Sequence, residues 1–126
     1  MLLDSQVVLW LVDDSPRLGS ATRRSLASAS FVHVSAATVW ELTIKSMLGK
    51  LTVPEDLDQR LDAQGLVVLP VTAAHASTMR LYPELVRHDP FDRLLMAQST
   101  VEGLPLVTAD RVLLAGGYHH LVDATV

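Results

Sequence analysis

Short apolar segments with no polar–apolar alternation recur along the chain, and helical spacing fills most of the intervals between them. Met1 to Leu3, Phe31 to Val34, Leu66 to Val71, Leu104 to Val107 and a last segment near His120 to Asp123 have this character. A strand with one face in water alternates. Unbroken apolar runs mark strands covered on both faces, as in parallel sheets with crossover helices. The expected fold is therefore an α/β three-layer sandwich with a central, mostly parallel sheet. With 126 residues and no repeat, linker or low-complexity tract, the chain reads as one domain over residues 1–126.

Local signals place the helices. Gln6 to Asp13 carries Val7, Val8, Leu11 and Val12 at helical spacing, and Ser15-Pro16 reads as the start of a helix through Ser28. Ser35-Ala36-Ala37-Thr38 leads into a helix to about Leu48, ended by Gly49. Pro54 opens one over Glu55 to Ala63, closed by Gly65, before Leu66 to Val71, which reads as a fully buried strand. Thr72 caps a helix to about Leu81. Asp89-Pro90-Phe91-Asp92 starts the strongest helix, ending near Gly103, and Asp110 starts a short one stopped by Gly116-Gly117.

Composition removes several functional classes. An apolar fraction of 49% against 19% charged residues excludes intrinsic disorder. The longest apolar runs, Val7 to Val12 and Leu66 to Val71, fall far short of the roughly 20 residues a bilayer span needs, so no membrane association is expected. Absence of cysteine removes disulfides, thiolate catalysis and cysteine-bound zinc. The start, Met1-Leu2-Leu3-Asp4, lacks the basic segment of a signal peptide, so a cytoplasmic location is expected. A formal charge of −4 argues against a simple electrostatic grip on nucleic acid unless a cation neutralises the carboxylates.

Where those carboxylates fall is informative. In open parallel sheets, functional groups gather outside the carboxyl ends of the strands. Asp4 follows the first strand, Glu41 follows the second by one helical turn, Asp92 begins the helix before the fourth strand with Asp89 one turn earlier, and Asp110 follows the fourth strand. Each also has a capping explanation. Asp4 suits the N-cap of the first helix, Thr38-x-x-Glu41 fits a capping box, Asp89 and Pro90 suit N-cap and N1, and Asp110 suits another N-cap. Capping alone does not require convergence on one sheet edge. Brought together, Asp4, Glu41, Asp92 and Asp110 would repel one another unless a cation lay between them. An all-oxygen donor set suits Mg2+ or Mn2+, and such ions support phosphodiester hydrolysis.

Four segments, in order, carry a family resemblance: Leu2-Leu3-Asp4-Ser5; Ser35-Ala36-Ala37-Thr38-Val39-Trp40-Glu41-Leu42; His88-Asp89-Pro90-Phe91-Asp92-Arg93-Leu94-Leu95-Met96-Ala97-Gln98; and Leu106-Val107-Thr108-Ala109-Asp110. Together they resemble a PIN-domain protein, more narrowly the ribonuclease toxin of a VapBC-type toxin–antitoxin pair, over essentially the whole chain. The resemblance implies a Mg2+- or Mn2+-dependent endoribonuclease acting on an RNA substrate, with Asp4, Glu41, Asp92 and Asp110 as its catalytic and metal-binding set. It implies Asp89 as an additional ligand or supporting residue, Ser5 and Thr108 as hydroxyls orienting a carboxylate or water, a homodimer, and silencing by a cognate antitoxin. Ser5-Gln6 departs from the Thr-His that many relatives carry there, so no role for that histidine transfers.

Other residues admit two readings each. His33 and His75 read as packing or surface groups. His88 is expected to fix the helix start or touch RNA phosphate, and Arg93 to pair with a carboxylate or reach substrate phosphate. Arg17, Arg23 and Arg24 read as a solvated basic face or a contact for RNA or antitoxin. Trp10 and Trp40 read as core or dimer packing. His119 and His120, after Gly116-Gly117-Tyr118, have no assigned role. A receiver-type phosphorylation switch fails because Leu66 to Thr72 supplies no aspartate and no lysine follows Lys50; an aspartyl-phosphate hydrolase fails because Asp4-Ser5-Gln6 supplies only one aspartate. A catalytically silent PIN-like binding module and a DNA-directed nuclease are the remaining alternatives.

Overall fold

The computed structural model describes residues 1–126. Five strands, β1 (Leu2–Leu3), β2 (His33–Ser35), β3 (Val67–Leu69), β4 (Leu106–Thr108) and β5 (Leu121–Asp123), form one sheet in the order β3-β2-β1-β4-β5. Every pairing is parallel. Seven α-helices cover it: α1 (Ser5–Val12), α2 (Ser20–Ser28), α3 (Ala36–Met47), α4 (Leu57–Ala63), α5 (Ala73–Thr78), α6 (Pro90–Glu102) and α7 (Arg111–Ala115). Short 3-10 turns at Met79–Leu81 and Pro83–Leu85 join α5 to α6.

β1 explains the two-sided core. Successive strand residues face opposite ways. Leu3 joins a cluster with Val7, Val8, Val34, Leu42, Leu61 and Val107, while Leu2 joins another with Leu85, Leu95, Met96, Leu106 and Leu113. Both leucines are fully buried, so the shortest strand is the one the helices on both faces pack against.

Three expectations are corrected. Ser15-Pro16 does not open a helix: residues 15–18 turn, and α2 starts after Gly19. That boundary is set by tertiary contacts, because the amides of Gly19 and Thr22 donate to Ala124 and Val126 carbonyls at the far end of the chain. Thr38 and Glu41 form no capping box, because Ser35 is the N-cap of α3 and accepts from the Ala37 amide. Leu66 to Val71 is not a fully buried strand either. Its ordered part, β3, is a sheet edge with Val67 40% and Val68 46% exposed.

Candidate active site

The sheet order places the site. β1 is flanked by β2 on one side and β4 on the other, so the winding direction reverses between β1 and β4, and a crevice opens beyond their carboxyl ends. Leu3 pairs with Val107, so the next residues, Asp4 and Thr108, stand side by side. The Thr108 hydroxyl donates to Asp4 Oδ2, and the Val7 amide donates to Asp4 Oδ1 at 2.9 Å. Asp4 is thus both the N-cap of α1 and a residue of the crevice.

The other aspartates repeat this dual use. Asp110 caps α7, accepting on Oδ1 from the Val112 and Leu113 amides at 2.9 and 3.1 Å, which leaves Oδ2 free of the helix. Asp89 caps α6, accepting on Oδ1 from the Phe91 and Asp92 amides at 2.8 and 3.3 Å. Asp92 follows in the first turn of α6. Capping and convergence are not rivals. A helix end that needs an acceptor orients a carboxylate, and three such ends, those of α1, α6 and α7, share one edge of the sheet.

Glu41 reaches the same place from the second turn of α3. It is buried, and both its oxygens are engaged: Ser5 Oγ donates to Oε1, and Lys45 Nζ donates to Oε2 at 2.8 Å. Asp4, Ser5, Glu41, Lys45, Asp89, Asp92 and Asp110 line a cavity of about 360 Å3, with Trp10 and Arg17 also on its wall. Lys45 was not foreseen, although Glu41-x-x-x-Lys45 is the helical spacing at which opposite charges meet.

Crowded carboxylates leave an electrostatic trace. Asp92 is pushed up to about 7 by burial, then by the neighbouring charges of Asp89, Asp4 and Asp110, with His88 acting in the opposite direction. Burial also raises Asp4, offset in part by its Thr108 hydrogen bond. Lys45 is raised, chiefly by its hydrogen bond to Glu41.

Several residues stand elsewhere than expected. Asp89, not His88, fixes the start of α6. His88 Nε2 instead lies 3.1 Å from both Asp92 Oδ2 and Asp110 Oδ2. Arg93 pairs with no carboxylate. Its Nε is buried without a partner, and it lines a separate cavity with Met79, Arg80, Tyr82 and Val86. The basic face of Arg17, Arg23 and Arg24 is divided: Arg23 holds Asp14 at 2.8 Å and the Ser15 and Leu18 carbonyls, and only Arg17 reaches the cavity. Trp40 is not core, being 63% exposed with its ring edge-on to Phe91. His75 is fully buried, bonded to the Thr72 amide and to Glu102.

The donor chemistry fits a hard divalent cation. Carboxylate oxygens predominate, burial and then their mutual repulsion raise Asp92, and one ligand atom each from His88, Asp92 and Asp110 lie within 4.8 Å of one another.

A doubly wound α/β domain with an acidic crevice at its switch point is the class defined by these features. The family model described as PIN domain matches residues 1–115. The chain belongs to the PIN domain family, a family of nucleases that hydrolyse phosphodiester bonds using divalent metals. Among solved structures it is similar to a toxin–antitoxin complex from Klebsiella pneumoniae, with 13% identity over 98% of this chain and 96% of that one and a TM-score of 0.66. It is also similar to VapBC2 from Rickettsia felis bound to a promoter DNA fragment, with 18% identity over 96% and 94% of the two chains and a TM-score of 0.67. No curated protein matches the chain.

Proposed function

We propose that this protein is a Mg2+- or Mn2+-dependent endoribonuclease and the toxin of a type II toxin–antitoxin pair. One observation carries the reading: Asp4, Glu41, Asp92 and Asp110, far apart in sequence, line a single crevice with Asp89. Asp4, Asp92 and Asp110 would hold the metal, with Glu41 and Asp89 beside them. A bound divalent ion supplies activation of a water and neutralisation of the scissile phosphate.

The chain's own groups prepare the rest. Thr108 and the Val7 amide fix the Asp4 carboxylate, so its orientation costs nothing at the moment of reaction. Ser5 and Lys45 hold Glu41 from two sides, leaving it to orient water within the cavity. Lys45 and Arg17 put positive charge on the wall of an otherwise acidic pocket, where RNA phosphates must approach. Similarity in fold to proteins described as a toxin–antitoxin complex and VapBC2 supports a cognate antitoxin as partner. Apolar side chains exposed on the surface, among them Trp40, Met47 and Leu48, support a homodimer or antitoxin contact. The family resemblance supports a cytoplasmic site of action.

The test is cleavage of RNA by purified protein. Chelator should abolish it, and Mg2+ or Mn2+ should restore it. Asp4→Asn, Asp92→Asn and Asp110→Asn should each lower the rate at least ~100-fold by the usual scale of such losses. The amide keeps an oxygen to accept from the helix amides, so the caps survive while the charge is lost. Asp89→Asn should be milder, because Asp89 stands beside the proposed ligands rather than among them and its cap on α6 survives the change. Metal-independent cleavage, or full activity in Asp92→Asn, overturns the proposal; cleavage of DNA but not RNA moves it to the DNA-directed alternative.

A further inference from the structure

Sequence alone placed His88 at a helix start or on substrate phosphate, but the geometry points to a different use. His88 stands just before the N-cap of α6, and its ring reaches Asp92 in the first turn. Nε2 stands 3.1 Å from Asp92 Oδ2 and 3.1 Å from Asp110 Oδ2. The side chains are 18%, 23% and 25% exposed, which shields them without sealing them off. No other histidine contacts the acidic group. Adjacent ligands of an octahedral ion bound at about 2.1 Å stand about 3 Å apart. The two contacts of Nε2 therefore have the spacing of neighbouring coordination positions, contributed by a loop nitrogen and by oxygens at the starts of α6 and α7.

We propose that His88 is itself a metal ligand, and that it makes the centre a mixed nitrogen–oxygen site selective for Mn2+ over Mg2+. This rests on the metal-nuclease reading above and refines which residues bind and which ion they prefer. Magnesium takes oxygen donors and sheds water reluctantly. Imidazole suits transition ions, so one nitrogen in the set biases selection toward them. The hydroxyls and the lysine around Asp4 and Glu41 offer no such bias. The other explanation of His88 is a hydrogen-bonded bridge that holds Asp92 and Asp110 together, and it makes a different spectroscopic forecast.

The experiment is pulsed electron paramagnetic resonance on chelator-stripped full-length protein titrated with Mn2+, grown with ordinary and with 15N-labelled histidine. A ligating His88 gives nitrogen modulation of directly bound imidazole, altered by the 15N label and absent in His88→Gln. Calorimetry on the same samples should show Mn2+ bound at least ~10-fold more tightly than Mg2+. His88→Gln should weaken Mn2+ binding ~10–100-fold, the scale of loss at metal sites, with little change for Mg2+. Wild-type protein that binds Mn2+ without 15N-sensitive modulation overturns the proposal, whatever the variant does, and leaves the nuclease reading standing. Equal loss of both ions in His88→Gln overturns the selectivity claim. RNA cleavage by protein that binds neither ion overturns the metal-dependent nuclease reading as well.

Discussion

Asp92 concentrates the conflict between fold and site in one side chain. At the start of α6 its charge favours the helix dipole by about 0.3–1 kcal/mol. Against this, burial and three neighbouring carboxylates raise it to about 7, and a shift of that size from the ordinary value near 3.8 corresponds to at most about 4 kcal/mol. Repulsion wins. Because the folded form holds the proton more tightly than the unfolded chain, stability falls as pH rises from about 4 to about 7 and then levels. Chelated protein should therefore melt lower at pH 8 than at pH 5. Asp92→Asn should flatten that dependence and melt at or above wild type at pH 8, with a smaller gain on adding Mn2+. Thermal melts with chelator and with saturating Mn2+ check this, and equal destabilisation of the variant in both would mark Asp92 as structural only. The aspartates were legible in the sequence because each occupies a helix start after or before a strand. What His88 and Lys45 touch was not, since it depends on which helix starts become neighbours.

At the scale of elements, boundaries set by local chemistry were legible and those set by distant chain were not. Asp89-Pro90 starts α6 and Gly103, with φ of +63°, ends it, as expected from capping preferences alone. Pro16 carries an equally good local signal, yet α2 begins at Ser20 because Gly19 and Thr22 must meet the C-terminal segment. The Thr22 hydroxyl bonds the Val126 carbonyl 104 residues away. A Cβ on Gly19 would lie 2.2 Å from the Val126 carbonyl carbon and 2.5 Å from its nitrogen, so the backbone of that segment would have to shift. Gly19→Ala should therefore cost about 1–3 kcal/mol, the usual penalty of overpacking, and should loosen the chain after β5. Urea unfolding measures the first. Hydrogen exchange at the Gly19 and Thr22 amides measures the second, and a variant as stable as wild type would show that this contact does not set the boundary.

For the whole molecule, the sequence showed a parallel sheet with both faces covered but not which strand would lie at its edge. Edge position belongs to strand order, and nothing inside Leu66 to Val71 records that no strand pairs beyond it. The same holds for Trp40, which helical spacing places in an apolar segment although the packed helix turns it to solvent with Met47 and Leu48. Side chains so exposed add little to folding, so replacing Trp40 and Met47 by Ser should leave the melting temperature within about 2 °C, the effect of a surface change of roughly 0.5 kcal/mol or less. If these residues meet a partner, the same variant should weaken homodimer or antitoxin association at least ~10-fold, as loss of a buried aromatic anchor does. Native mass spectrometry and titration with the antitoxin separate the outcomes, and unchanged association would release this surface from that role.

β1 is two residues long, near the start of the chain, and its partner β4 is Leu106–Thr108. Asp4 consequently meets Thr108, 104 residues further along, and Asp110 only after the long stretch between them has been made. On a ribosome extending about 5–20 residues each second, that is a delay of several seconds or more, during which no combination of emerged residues contains the complete crevice. A nascent chain therefore carries no assembled acidic crevice until β4 and the start of α7 have emerged. The placement of the first strand at the centre of the sheet thereby ties assembly of the crevice to the emergence of residues 106–110.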